Sequence, residues 1–141
     1  MIAYAVIDTN VIVSALLSSH DDAATVQVVA KLFTGEIVPL YNAEVLDEYS
    51  NVLNRDKFPF PKDEINRMLS AIKENGVNVD ADSSGEILPD MKDLPFYEVV
   101  LKKRDEDAYL ITGNIKHFPK KPFIVTASQM LDILKRGVVG K

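Results

Sequence analysis

The sequence predicts a three-layer α/β domain, with helices on both faces of a central parallel sheet of about five strands. Three observations predict it. The opening run Ile2-Ala-Tyr-Ala-Val-Ile7 is short, apolar and unbroken, the pattern of a strand covered on both faces. Strand-like and helix-like segments then alternate along the chain, which implies right-handed crossovers and parallel pairing. The 141 residues are the usual size of one domain with a real core, so a single domain over 1–141 is expected.

The elements follow in order. Behind the first strand, Val11-Ile-Val-Ser-Ala-Leu-Leu17 suits a short helix capped by Asn10. Val26, Val29, Ala30 and Phe33 mark one face of a second helix, which Gly35 ends. Glu36-Ile-Val-Pro-Leu-Tyr41 reads as a strand, with Pro39 arguing for an edge or an end. Asn42 caps a helix with Val45, Leu46, Tyr49, Val52 and Leu53 inside. The loop Phe58-Pro-Phe-Pro61 leads to another helix, packed through Ile65, Met68, Leu69 and Ile72 and stopped at Asn75-Gly76. Residues 77–79 form a brief strand and 80–90 a polar loop. Residues 94–103 form a helix that tolerates Pro95 in its first turn. Ala108-Tyr-Leu-Ile-Thr112 and Phe123-Ile-Val-Thr126 are the last strands, and Ser128 opens a helix through Leu134.

The absence of cysteine excludes disulfides, thiolate zinc sites and thiol nucleophiles. It fits a reducing, cytoplasmic setting. The N-terminal apolar stretch breaks at Asp8, unlike a signal peptide, and no stretch has the length of a membrane span. The formal net charge of −5 means that nucleic acid would be met by a local basic patch rather than by the global field.

Asp8 is the first candidate site residue, because a carboxylate at the carboxyl end of a central parallel strand stands where open α/β sheets bind ligands. Burial there is costly unless something charged or hydrogen-bonding meets it. Glu48 lies at the boundary of its helix's apolar face, about 40° outside it on a helical wheel. Asp47 points the other way, and Glu44, one turn earlier, is the substitute. Asp93 suits a helix N-cap and can offer a second oxygen to the site, with Asp90 nearby. Thr112 and Asn114 end a later strand, with Gly113 permitting a tight turn between them. Oxygen ligands without cysteine or paired histidine suit Mg²⁺ or Mn²⁺.

These segments resemble the motifs of PIN-domain nucleases. Ala5-Val-Ile-Asp-Thr-Asn-Val-Ile-Val-Ser14 is similar to the first, and Leu46-Asp-Glu-Tyr-Ser-Asn-Val-Leu53 to the second. Asp93-Leu-Pro-Phe-Tyr-Glu-Val-Val100 resembles the third, and Ala108-Tyr-Leu-Ile-Thr-Gly-Asn-Ile-Lys-His-Phe-Pro119 the fourth. The resemblance is nearest to toxins of toxin–antitoxin systems, relatives of the VapC ribonucleases. It implies a Rossmann-type fold and a Mg²⁺- or Mn²⁺-dependent endoribonuclease that hydrolyses RNA with metal-activated water. It assigns Asp8, Glu48 and Asp93 to the metal, and Asn10 to holding Asp8 in place. A toxin of this kind has an antitoxin partner and forms a homodimer. One position departs from the pattern: many PIN domains have aspartate where this chain has Asn114, which brings an oxygen but no charge. Glu98, on the same helix as Asp93, is the candidate to compensate.

Lys116, His117 and Lys120 are the expected RNA contacts at the cleft, with Lys121 and the Lys102-Lys-Arg104 run as further candidates. No aromatic stripe of the kind that stacks single-stranded bases stands out. The rival reading is a catalytically weak or inactive RNA- or protein-binding module on the same fold, motivated by Asn114. An aspartyl-phosphate enzyme fits poorly, since a dehalogenase-type phosphatase wants a second aspartate where Asn10 stands.

Overall fold

The structure is a computed structural model that describes residues 2–139; Met1, Gly140 and Lys141, at the ends of the expected 1–141 domain, lie outside the described residues. Its elements in chain order are β1 (Ala3–Ile7), α1 (Thr9–Leu17), α2 (Ala24–Thr34), β2 (Ile37–Tyr41), α3 (Ala43–Leu53) and α4 (Lys62–Asn75). They continue with β3 (Val77–Asn78), α5 (Leu94–Lys102), β4 (Tyr109–Ile111), β5 (Ile124–Val125) and α6 (Ala127–Val139). The strands form one sheet in the order β3-β2-β1-β4-β5, every pair parallel, flanked by the six helices. This is the three-layer α/β architecture that the alternating pattern predicts.

The unbroken apolar run of β1 has its cause in this order. Ala5 pairs with Pro39 on one side and Tyr109 on the other, so β1 lies at the centre with both faces covered. Ala5, Val6 and Ile7 are accordingly buried. The chain runs from β1 outward to β2 and β3, then returns across the sheet to β4 and β5. Its direction therefore reverses between β1 and β4, and the loops leaving these strands diverge at their carboxyl ends. Such a switch point opens the crevice that positions the site.

Several local expectations need correction. Asp8, not Asn10, occupies the N-cap position of α1, so the Asn10 side chain is free to serve the site. The buried stripe of α2 is Val28, Val29 and Leu32, while Phe33 is 53% exposed. This helix rests on both β2 and α6, a direction of packing that its own periodicity does not contain. Gly35 does end α2, in the left-handed conformation at φ 85°. Pro39 is not on an edge strand: β2 lies between β1 and β3, but the ladder to β3 begins only at Leu40, so the missing N–H costs no bond there. Beside it, a Cβ on Gly76 would collide with the Pro39 carbonyl oxygen, which explains glycine just before β3. The last helix begins at Ala127 rather than Ser128, because Thr126 and Gln129 exchange side-chain-to-backbone hydrogen bonds of 2.9 and 3.1 Å as a capping box.

Candidate active site

Asp8 follows β1 directly and is only 6% exposed. Across the switch point, the Thr112 hydroxyl at the end of β4 donates to Asp8 Oδ2 at 2.7 Å. Asn10 Nδ2 donates to the same oxygen at 3.3 Å. Both side-chain donors thus serve one oxygen, and among the described residues Oδ1 has no side-chain donor. The other end of the Asn10 amide accepts from the Gly113 backbone N–H at 3.0 Å, tying α1 to the loop after β4. Gly113 has no left-handed backbone conformation; its N–H is what the site uses. Burial raises the Asp8 pKa above its ordinary value, against the opposing pull of Thr112 and of the Thr9 and Asn10 backbone.

Glu48 approaches from α3. Asn42 sets the start of this helix by accepting from the Val45 N–H at 2.9 Å. Val45, Tyr49, Val52 and Leu53 are buried, which leaves Glu48 half-buried at the rim, as its wheel position predicts. The next residue, Tyr49, is fully buried, and its hydroxyl donates to the Ile7 carbonyl, the peptide group immediately before Asp8. Partial burial raises the Glu48 pKa; Arg55 and Lys92 oppose the rise, while Asp8 and Asp90 add to it.

Asp93 closes the arrangement in a way its sequence context does not suggest. A single 3₁₀ turn, Met91–Asp93, precedes α5, and Asp90 caps it by accepting from the Lys92 N–H at 3.0 Å. Asp93 stands at the N-cap of α5 but makes no side-chain capping bond, contrary to expectation. Its Oδ2 instead lies 3.4 Å from His117 Nδ1. The Asp93 pKa is pushed up to about 6, by burial first and then by Asp8 and Asp90, with His117 acting the other way.

Asp8, Glu48, Asp90, Asp93, Asn114 and His117 face one open cavity of about 770 Å³. Other predicted residues fall outside its walls. Glu98 accepts from the Ser84 N–H at 2.6 Å, beside Lys102 and Leu101 on another part of the surface, so it does not compensate for Asn114. Five residues of helix carry it about 140° around from Asp93. Glu44 faces a separate pocket with Asn78 and Asp80. Lys116 and Lys120 are exposed and line no wall of the cavity. Lys116 and His117 share a 3₁₀ turn, where successive side chains diverge by about 120°, and it is His117 that faces inward. Arg55 and Lys92 supply the cationic wall, and neither makes a salt bridge among the described residues. Arg55 lies two residues beyond the end of α3, so the helical period that places Glu48 does not reach it. Phe58, also on the wall, had no periodic signal because it sits in a loop.

Among the described residues no three histidine, aspartate or glutamate side chains close on a common point as a finished metal site does. The chemistry of the donors nevertheless fits a hard divalent cation. They are carboxylate and amide oxygens, and their mutual repulsion calls for positive charge. Thr9 also lines this cavity, and among the described residues its buried hydroxyl has no hydrogen-bond partner.

The domain is of the doubly wound α/β class, with its carboxylates gathered at the switch point where such folds bind ligands. The sequence profile of the PIN domain matches residues 4–116, and the chain belongs to this family of nucleases. Comparison with curated proteins and with solved structures gives no match. Among the described residues no helix is long and apolar enough to cross a membrane.

Proposed function

We propose that this chain, as a single domain over 1–141, is a Mg²⁺- or Mn²⁺-dependent endoribonuclease and the toxin of a toxin–antitoxin pair. In this reading it works in the cytoplasm, as a homodimer restrained by an antitoxin protein. The observation that carries the nuclease reading is the convergence of Asp8, Glu48 and Asp93 on one cavity, from three distant stretches of chain.

Asp8, Glu48 and Asp93 would hold the cation, with Asp8 offering the oxygen that Thr112 and Asn10 leave free. A divalent ion there supplies charge neutralisation at the scissile phosphate and an acidified water. Thr112 and Asn10 fix the orientation of the Asp8 carboxylate so that no reorganisation accompanies binding. Arg55 and Lys92 attract the RNA backbone to an otherwise acidic cavity. His117, beside Asp93 at the rim, is placed to pass a proton between the cavity and solvent.

The test is incubation of the purified protein with mixed RNA, with Mn²⁺ or with EDTA. Cleavage is expected only with Mn²⁺, leaving 5′-phosphate ends. Cleavage that survives EDTA would refute metal dependence, and RNA binding without cleavage would favour the binding-module reading.

Asn114 supplies a second expectation. Asn114→Asp should tighten Mn²⁺ binding about tenfold, because it adds a charge to the set of oxygens. Isothermal titration calorimetry reads this directly, and an unchanged or weaker affinity would show that Asn114 does not face the ion.

A further inference from the structure

We infer that the loop between α3 and α4 is a stacking platform for one unpaired base, which the Phe58 ring receives beside the acids. The inference rests on the nuclease reading above and adds to it a specificity residue, Phe58.

Phe58 lines the same cavity as the acids. Phe60 stacks on it, the two rings at 5.3 Å between centroids and 16° between planes. Two prolines, Pro59 and Pro61, interleave with the rings and restrict the backbone that carries them. The Phe58 ring is therefore half-buried and stacked, which limits the rotamer freedom lost when a ligand lands on it. An apolar ring on the wall of a strongly acidic cavity has no use in holding a cation. It does suit the flat face of a base whose phosphate reaches the acids.

Charge around the loop agrees. Arg55 stands on the same wall, and Lys57 Nζ lies 5.1 Å from the Phe58 ring centroid. An exposed ammonium over a ring is worth only about two- to fivefold in an equilibrium constant. Stacking of a base on an aromatic side chain is worth roughly five- to 150-fold. A base therefore displaces Lys57 from the ring, and the lysine moves to a neighbouring phosphate. A duplex cannot use this surface, because its bases present no free face.

The test uses the full chain carrying Asp8→Asn, to suppress cleavage, and a short single-stranded RNA containing 2-aminopurine. Its affinity and fluorescence are compared with those of Phe58→Leu and Phe58→Tyr made on the same background. Phe58→Leu keeps the apolar bulk and should weaken single-strand binding about tenfold and abolish the quenching of 2-aminopurine. Phe58→Tyr should retain both. The parent should bind the same RNA less tightly once it is annealed to its complement, and Phe58→Leu should leave that duplex affinity unchanged. Equal single-strand affinity and equal quenching in Phe58→Leu would overturn the platform and leave the ring pair to a protein partner. The nuclease reading would still stand if the chain with Asp8 intact cleaves RNA with Mn²⁺. Absence of both RNA binding and cleavage would instead refute that reading, and the platform with it.

Discussion

Asp8→Asn is expected to lower Mn²⁺-dependent RNA cleavage by about a thousand-fold or more. The same change should raise the melting temperature of the protein in EDTA. Both effects follow from the two oxygens of Asp8. Thr112 and Asn10 both donate to Oδ2, so an asparagine whose amide oxygen takes that place keeps both bonds. Its NH₂ group then stands where Oδ1 stood, and a donor replaces the charge that would meet the cation. Activity falls because transition-state charge is no longer neutralised. Stability rises because burial already disfavours the charged carboxylate, and the amide removes that penalty. Mn²⁺ should reverse the order of stabilities, since it stabilises only the chain able to bind it. Thermal melts of the two proteins, with EDTA and with Mn²⁺, check the expectation alongside the cleavage rates. Equal cleavage by the two proteins would remove Asp8 from the mechanism.

The second large effect is on pH dependence. The folded-state pKa of Asp93 lies at about 6, above its ordinary value of 3.8. Between these values the folded chain holds a proton that the unfolded chain has lost. The folded state then binds more protons, so stability falls as pH rises. The contribution is fully present below about pH 4 and is lost by the time the pH has passed 6. Melting of the metal-free protein should therefore decline across that window, by several degrees. Asp93→Asn should flatten the decline, and the variant should melt above the parent at pH 7. A decline of the same size in Asp93→Asn would assign it to another group. Raised carboxylate pKa values of this kind cluster at functional sites, where charges are crowded for a purpose other than stability.

The parts of this molecule that the sequence discloses are those in which a residue's neighbours along the chain are also its neighbours in space. The Asn42 cap, the turn at Gly35 and the burial of β1 are of this kind. So is the rim position of Glu48, which one helical wheel contains. Phe33 is exposed because α2 packs against α6 from the far end of the chain, and no local period carries that information. Asp93 was legible as an acid at a helix start, but not as the neighbour of His117. A 3₁₀ turn passed the capping duty to Asp90. Glu98 shares a helix with Asp93, but the turn of that helix carries it away from the cavity to Ser84. Phe58 and Lys92 sit in a loop and a single 3₁₀ turn, and only the folded backbone brings them to the cavity.

The hydroxyl of Tyr49 gears two of the acids together. It holds the carbonyl of Ile7, next to Asp8, while its own backbone adjoins Glu48. Residues 41 positions apart along the chain, Asp8 at 8 and Tyr49 at 49, thus share one rigid coupling. A rotation or a slip of α3 could not move Glu48 without also pulling on the end of β1. The spacing between the two carboxylates is consequently inherited from the docking of a helix on a sheet rather than adjusted by a mobile loop. A chain whose α3 has not yet docked has no such spacing. The carboxylate spacing of the cavity would appear late in folding, as a property of the finished core.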